Sequence, residues 1–296
     1  MLMQPDCFPC VLNMALSTIR RLNLDEETER HLYSKVLNLP HLKGDRWDIT
    51  NEEIIETVIR VILDDIGNPD PFHALKRKQN DMMMKISSLI QNKIDTDPDP
   101  LFTALKAATL GNAIDVMVSG NSLDLENNVM KMMNATFPGH HFSPFRSRLG
   151  AAQSVLYFTD NAGEIVFDKL FIDTIKKMHN VEITAVVRSH PVLNDATLEE
   201  AGHIGLQNVV PVIENGIDGP LPGTILGRCS DQVRRAVRQA DLIISKGGAN
   251  FDTLDEERKR MPMNITFMFL SKCLPYCRLF NTELHRPILA NFYTKT

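Results

Sequence analysis

The amino-acid sequence predicts an α/β fold in which a helical N-terminal region packs on a Rossmann-like, mostly parallel sheet with helices on both faces. The chain changes character near residue 150: helical periodicity dominates before it, and short apolar runs alternate with helical stripes after it. Nearly continuous apolar strands separated by helices are typical of a parallel sheet that is covered on both sides. We therefore expect a mainly helical region over residues 1–150 and an α/β domain over residues 151–296.

Helices in the first half are predicted by apolar residues that recur at spacings of three and four. In residues 52–66, for example, Ile55 and Ile59 fall on one face, and Thr50 or Asn51 would cap the helix. The other predicted helices cover residues 10–22, 81–92 and 101–115. The methionines at positions 82–84 fit helix packing better than a metal site.

The second half predicts five strands separated by helices. Each strand is a short, mostly apolar run, and the strands cover residues 154–159, 181–188, 209–213, 241–245 and 265–270. The helices between them cover residues 164–178, 195–205 and 230–240, with Ser230 as the cap of the last one. This alternation is the basis of the parallel-sheet prediction.

Composition and charge exclude several classes of protein. The 296 residues are 43% apolar and 23% charged, which is typical of a globular chain rather than a disordered one. The net charge is -5 and there is no strongly basic stripe, so we expect no nucleic-acid partner. The chain lacks both a long apolar stretch and a secretory signal, and its five cysteines do not suggest a disulfide scaffold. We expect no membrane partner and a cytoplasmic location.

Polar residues follow the predicted strands where ligands bind in an open parallel sheet, beyond the carboxyl ends. Asp160, Asn161 and Asp195 offer hard oxygen ligands, which suit Mg²⁺, Mn²⁺ or a similar divalent cation. Lys246 and Lys272 offer ammonium groups for phosphate oxygens. A cation on one side and ammonium groups on the other would clamp a phosphoryl group.

A glycine pair follows Lys246 and begins another predicted helix. Gly247 and Gly248 allow backbone N–H groups to approach an anion closely, and the dipole of the helix would add to the attraction. Neither G-x-G-x-x-G nor G-x-x-x-x-G-K-[ST] is present, so neither a dinucleotide site nor a P-loop is indicated.

Each of these segments also has a purely structural interpretation. The pairs Asp160-Asn161 and Asn194-Asp195 could simply cap the helices that follow them. The Lys246-Gly247-Gly248 segment could be a solvated turn. Glu164 could be a first-turn residue favoured by the helix dipole or a group placed near the metal. Their joint position at one sheet edge favours the functional interpretation.

Several segments together resemble the damage-control phosphatase family. The likeness covers nearly the whole chain and is carried by FTDNAGEIVFDKL at 158–170, VVRSHPVLNDAT at 186–197, ADLIISKGGANFDTL at 240–254 and LSKC at 270–273, with C-F-P-C at 7–10, N-P-D-P-F at 68–72 and G-N-A-I-D at 111–115. The resemblance implies small phosphorylated metabolites as substrates, sugar phosphates among them. It also implies a helical region that roofs the cleft of a metal- and phosphate-binding α/β domain.

The resemblance assigns roles residue by residue. It implies a divalent metal, Mn²⁺, Mg²⁺, Co²⁺ or Ni²⁺, on Asp160, Asn161 and Asp195. Positions that match the family's phosphate contacts are Lys246, Gly247, Asn250 and Lys272. Asn112 or Asp115 would touch the rest of the ligand, although both could instead belong to a helix end. The Cys-x-x-Cys pair near the N-terminus resembles the prokaryotic branch of the family. The chain reads Lys-Gly-Gly-Ala-Asn where that branch usually has Lys-Gly-Gln-Gly-Asn, a departure that bears on substrate choice.

The remaining candidates are cysteines and histidines. Cys7 and Cys10 stand at Cys-x-x-Cys spacing and could be packed thiols, a redox pair or half of a metal site, which Cys273 and Cys277 could complete. The His140-His141 pair lies in a segment rich in Pro and Gly, which we interpret as a loop or lid.

The sequence as a whole indicates a metal-dependent phosphomonoester hydrolase. Its catalytic residues would be Asp160 and Asp195, with either Asp160 as the nucleophile of a phospho-aspartate route or Asp195 as the base for a water held by the metal. The alternatives are a metabolite-binding module without activity, which would use the same cleft, and a thiol-redox protein centred on Cys7 and Cys10.

Overall fold

The computed structural model describes residues 1–112, 122–137 and 139–294. Helices fill the part ahead of the sheet, as predicted. Thr50 rather than Asn51 caps the third helix, and its N–H donates to Glu53 Oε2 at 2.7 Å. The described helices of this part are α1 (Cys7–Arg21), α2 (Glu26–Leu37), α3 (Asn51–Ile66), α4 (His73–Thr96), α5 (Pro100–Gly111), α6 (Ser122–Asn134) and α7 (Phe142–Ala151), with 3₁₀ turns at Pro40–Lys43 and Gly139–His141.

Strands and helices alternate in the second part. The strands are β1 (Ser154–Phe158), β2 (Glu182–Val187), β3 (Val212–Glu214), β4 (Leu242–Lys246), β5 (Ile265–Leu270) and β6 (Pro287–Phe292). The helices are α8 (Glu164–Met178), α9 (Leu198–His203), α10 (Asp231–Gln239), α11 (Gly248–Arg258) and α12 (Leu274–Phe280), with 3₁₀ turns at Leu206–Asn208 and Leu226–Arg228. Ser230 caps α10 as predicted and accepts from Val233 N at 3.3 Å.

The strands form one sheet in the order β3-β2-β1-β4-β5-β6. Strands β1 to β5 are parallel and β6 is antiparallel to β5, so the predicted mostly parallel α/β fold is confirmed. Strand β1 lies at the centre, with Phe158 in register with Val186 of β2 and Ser245 of β4. The carboxyl ends of β1, β2 and β4 therefore lie side by side.

Both faces of the sheet are covered. Helices α4 to α8 enclose the larger apolar core on one face, and α10 to α12 enclose a second core on the other. A third core lies within α1 to α3. Met83 is fully buried in the first core, as expected for packing. Within the described ranges, no helix is both long and apolar enough to cross a membrane.

Some elements differ from the sequence prediction. Helix α2 buries only Leu32 and Val36, which is too sparse an apolar pattern to be read from sequence alone. The interpretation of the His140-His141 segment as a loop is wrong, because a 3₁₀ turn leads directly into α7. Helix α7 contains Pro144 in its first turn, where a missing N–H costs no hydrogen bond within the helix. Strand β6 was not predicted, and Pro287 at its start is typical of an edge strand.

Candidate active site

The loop after β1 and the loop after β2 are joined directly. Asn161 and Asp195 form an isolated antiparallel bridge, and Ala196 N donates to Asp160 O at 2.7 Å. This pairing brings together the predicted metal ligands Asp160, Asn161 and Asp195. Neither acid acts as a helix cap: Gly163 caps α8 through its backbone, and Thr197 caps α9.

Two amides organise the Asp160 carboxylate. Asn161 Nδ2 donates to Asp160 Oδ2 at 2.6 Å and to Glu164 Oε2 at 2.9 Å. Asn112 Nδ2 donates to the same two oxygens, at 3.0 and 2.8 Å. Glu164 is the first residue of α8, as one interpretation expected, and it also belongs to the hydrogen-bond network around Asp160, whereas a place near a metal stays a prediction. Asn112 caps α5 and is buried, whereas Asp115 lies outside the described residues.

Lys246 lies inside the protein, which corrects the expectation that its ammonium group stands at the open edge. It is the last residue of β4 and is fully buried. Its Nζ donates to Glu164 Oε1 at 2.6 Å, to Asp168 Oδ1 at 2.7 Å and to Ala108 O at 2.7 Å. An ammonium group has three N–H donors, so these acceptors use all of them. The strand ends one residue later than predicted, and its alternation turns Lys246 toward α5 and α8.

Gly247 and Asn250 connect the β4 loop to the rest of the site. Gly247 has a φ of 83°, and a Cβ atom there would lie 2.0 Å from Asp160 Oδ2, so the position requires glycine. Asn250 is fully buried. Its Nδ2 donates to Thr159 O at 3.0 Å and to Lys246 O at 2.8 Å. Asn250 therefore holds the carboxyl ends of β1 and β4 together.

Arg188 is a member of this site that the sequence analysis did not single out. It follows β2 directly, is 4% exposed, and its Nε donates to Asp195 Oδ2 at 2.6 Å. Its Nη2 lies 3.6 Å from Asp160 Oδ1. The same rule that identified Asp160, a polar residue just beyond the carboxyl end of a buried strand, would have identified Arg188.

The site opens toward solvent on the side of Asn161 and Lys272. Asn161, Gly248 and Ala249 are partly exposed, and the Lys272 side chain is exposed. The positive charge of Lys272 reaches Asp160 and favours its ionised form. The structure therefore places Lys272 at the mouth of the site and Lys246 beneath its floor.

Burial and mutual repulsion dominate the electrostatics. Burial, together with the charges of Asp195 and Glu164, raises the pKa of Asp160 well above its usual range, although Arg188 opposes the shift. Burial also raises the pKa of Asp195 against the pull of Arg188. For Glu164 burial acts in the same direction, but Lys246 and the two amides outweigh it and lower the pKa. The Asp160 side of the network therefore has excess negative charge.

A divalent cation fits this donor set. Among the described residues, no three His, Cys, Asp or Glu side chains are grouped so that they could hold a metal ion. Asp160, Asp195 and the Asn161 amide supply two carboxylates and one neutral oxygen, and Mg²⁺ is commonly held by one or two carboxylates with waters and substrate phosphate. In the described part of the chain, the buried Asn112 Oδ1 also lacks a hydrogen-bond partner.

Cys7 and Cys10 belong to α1 and not to the strand-end loops that form this site. Cys7 begins α1 and is buried, and burial raises the pKa of its thiol to about 11. The thiol is therefore protonated near neutral pH and is a poor nucleophile, which favours packing over redox chemistry. Within the described ranges, Cys7, Cys10, Cys273 and Cys277 do not form a metal-holding group.

Comparisons with known proteins find relatives along nearly the whole chain. A model described as the damage-control phosphatase ARMT1-like domain matches residues 3–286. The damage-control phosphatase PH1575 of Pyrococcus horikoshii is 30% identical over 276 residues, which cover 92% of each chain. A damage-control phosphatase of Archaeoglobus fulgidus is 27% identical over 279 residues, covering 94% of this chain and 95% of the relative.

The fold is also that of a solved relative. The crystal structure of PH1575, described as a DUF89 family protein, superposes with a TM-score of 0.86 at 28% identity, covering 98% of this chain and 99% of that chain. The match of the family model over nearly the whole chain and the 30% identity to PH1575 settle the relationship. The chain belongs to the damage-control phosphatase ARMT1-like family.

Proposed function

We propose that this protein is a metal-dependent phosphatase that hydrolyses phosphomonoesters of small metabolites, with sugar phosphates among its substrates. The observation that carries the proposal is the meeting of Asp160, Asn161 and Asp195 at the carboxyl edge of the sheet, in a member of a phosphatase family. In the reaction, the ester P–O bond breaks, a water oxygen joins phosphorus and a proton passes to the leaving alkoxide. The products are an alcohol and inorganic phosphate.

The proposed cation is Mg²⁺, Mn²⁺, Co²⁺ or Ni²⁺, held by Asp160, Asn161 and Asp195. When bound, it would offset the negative charge of the phosphoryl oxygens and make phosphorus more open to attack. The excess negative charge around Asp160 supports this assignment. Asp160 Oδ2 is occupied by two amide donors, which leaves Oδ1 for the cation or the reacting group.

The phosphate would be drawn in from the exposed side. Lys272 supplies a positive charge there, and the N–H groups of Gly248 and Ala249 lie in the first turn of α11, where N–H groups have no partner within the helix. Lys246 has a different role in this proposal. All of its donors are used by protein acceptors, so it fixes Glu164 and, through the two amides, the position of Asp160.

Two routes remain for the attack on phosphorus. Asp160 could act as the nucleophile and form a phospho-aspartate that water then hydrolyses. Asp195 could instead take the proton of an attacking water. Borohydride reduction during turnover would convert an acyl phosphate at Asp160 to homoserine, and the absence of that product would favour the second route.

The test is a screen for phosphate release from small phosphomonoesters with each of the four cations. We expect release that requires the cation, stops when a chelator is added and is lost in Asp195→Asn. Tight binding of a sugar phosphate without release under all four cations would instead indicate a metabolite-binding module. Loss of activity in a folded Cys7→Ser variant would indicate thiol chemistry.

A further inference from the structure

Arg188 combines rigid anchoring with one unused amino group. The Nε donates to Asp195, and the Nη1 donates to Gly223 O at 3.0 Å, to Thr224 Oγ1 at 3.2 Å and to Asn250 Oδ1 at 2.9 Å. Backbone hydrogen bonding also fixes the residue, because Arg188 N donates to Ala196 O at 3.0 Å. The guanidinium plane therefore has little freedom to turn.

The Nη2 group stands apart from these contacts. It is buried and, in the described part of the chain, has no hydrogen-bond partner. Asp160 Oδ1 is 3.6 Å away, which is beyond hydrogen-bond distance. A buried, charged N–H group that is left unpaired is costly, and such groups in native proteins call for an explanation. The explanation here is an acceptor that arrives with the substrate.

Charge balance identifies the class of acceptor. A phosphomonoester brings negatively charged oxygens close to the carboxylates of Asp160 and Asp195. Positively charged groups are therefore needed beside these carboxylates. Lys246 cannot serve, because Glu164, Asp168 and Ala108 use its donors. Arg188 carries a guanidinium group, and its planar N–H donors match phosphate oxygens.

We propose that Arg188 Nη2 donates to an oxygen of the transferring phosphoryl group, which makes Arg188 a catalytic residue. This inference rests on the proposed phosphatase function. Arg188 forms no covalent bond in this role. Its contact shortens as charge redistributes over the phosphoryl oxygens, so it contributes more in the transition state than in the bound substrate.

Arg188→Lys keeps the charge but removes the forked donors, and Arg234→Lys on α10 is the matched control, since Arg234 pairs with Asp231 away from the site. The first measurement is calorimetric binding of inorganic phosphate at saturating Mn²⁺. We expect Arg188→Lys to bind phosphate about ten- to hundredfold more weakly, the range for a hydrogen bond to a charged group. Because Arg188→Lys also removes the Nε donor to Asp195, Mn²⁺ affinity should fall as well, by about ten- to hundredfold, so phosphate binding is compared at Mn²⁺ concentrations that saturate each variant.

The second measurement is turnover, where Arg188→Lys should lower kcat by about 10²–10³-fold. If Arg188→Lys does not fold, Thr224→Val removes one Nη1 acceptor without changing charge, and it should weaken phosphate binding about threefold. Unchanged phosphate affinity in the folded variant would overturn the role of Arg188. Phosphate binding that depends on Arg188 in a protein with no phosphatase activity would instead overturn the proposed function and leave Arg188 as an anion-binding residue.

Discussion

The cluster around Asp160 and a second cluster, formed by Glu52 and Asp252, both bury carboxyl groups, but they compensate the charge differently. In the second cluster, burial and the charge of Asp252 raise the pKa of Glu52, and burial raises that of Asp252 to about 7. Tyr276 donates to Asp252 Oδ2 at 2.8 Å, and the amino group of Met1 lies 3.8 Å from Asp252 Oδ1. Burial and the neighbouring charge therefore favour a protonated carboxyl group in this pair.

In the cluster around Asp160, the positive side chains of Lys246 and Arg188 compensate the carboxylates instead. Lys246 pairs with Glu164 and Asp168, and Arg188 pairs with Asp195. These cations leave the charge of Asp160 incompletely balanced, and they leave one Arg188 donor unused. The difference shows that a raised carboxyl pKa alone does not identify a functional site. Position at the carboxyl ends of parallel strands and an unused buried donor distinguish the active site.

The comparison is tested most strongly by making the same change in both clusters. Asp160→Asn should lower phosphate release by about 10³-fold or more, because it removes a group that contacts the cation or the phosphoryl group. Asp252→Asn should leave turnover within about twofold, since Asp252 is not among the groups proposed to contact the cation or the phosphate. Phosphate release by both folded variants is the measurement. Equal losses in the two variants would contradict the distinction between the clusters.

Much of this contrast follows from the sequence, and the rest depends on packing. The strand-end rule located Asp160, Asn161 and Asp195 because a parallel sheet brings carboxyl ends to one edge whatever the loops contain. It misplaced Lys246, because β4 ends one residue later than predicted and the Lys246 side chain turns to the other face. The pairing of Glu52 with Asp252 joins residues 200 positions apart and leaves no local pattern.

Replacing Lys246 with Met should make the active-site cluster resemble the second cluster. Glu164 and Asp168 would lose their buried ammonium partner, and breaking a buried pair in this way typically costs about 3–5 kcal/mol of unfolding free energy. A proton can substitute for the ammonium group, so the loss should be largest at alkaline pH and smaller under acidic conditions. Urea unfolding at several pH values measures it.

The control for Lys246→Met is Lys35→Met. Lys35 forms an exposed ion pair with Asp65, so its replacement should cost less than about 1 kcal/mol. If Lys246→Met were no more destabilising than Lys35→Met, the interior pairing of Lys246 with two carboxylates would be refuted.

The proton in the second cluster should appear as a pH dependence of stability. Asp has a pKa of about 4 in the unfolded chain, and burial raises the pKa of Asp252 in the folded protein to about 7. Between these values the folded state holds a proton that the unfolded state lacks, so stability falls as pH rises, by at most about 1.4 kcal/mol per pH unit. Asp252→Asn should remove this decline, and unfolding free energies measured across the window should then converge with wild type at the acidic end.

Asp241 is the control, because its pKa is shifted in the opposite direction to that of Asp252. The backbone N–H groups of Gln153 and Ser154 donate to its carboxylate and lower its pKa, so its contribution is lost as pH falls. Asp241→Asn should therefore destabilise the protein more at neutral than at acidic pH. An Asp252→Asn profile parallel to that of wild type would show that Asp252 is ionised in the folded protein.

The smallest effect is expected from the thiols beside the second cluster. Burial, with smaller contributions from the charges of Asp252 and Glu52, raises the pKa of Cys7 to about 11. The Cys7 side chain packs in the core of α1 to α3. Replacing Cys7 and Cys10 together with Ser should cost about 1–3 kcal/mol of unfolding free energy through lost packing. None of the groups proposed for phosphoryl transfer is a thiolate, so kcat measured below the melting temperature should stay within about threefold of wild type. A folded double variant that still binds the divalent cation and has lost all turnover would place a thiol in the reaction and would remove the functional difference between the two clusters.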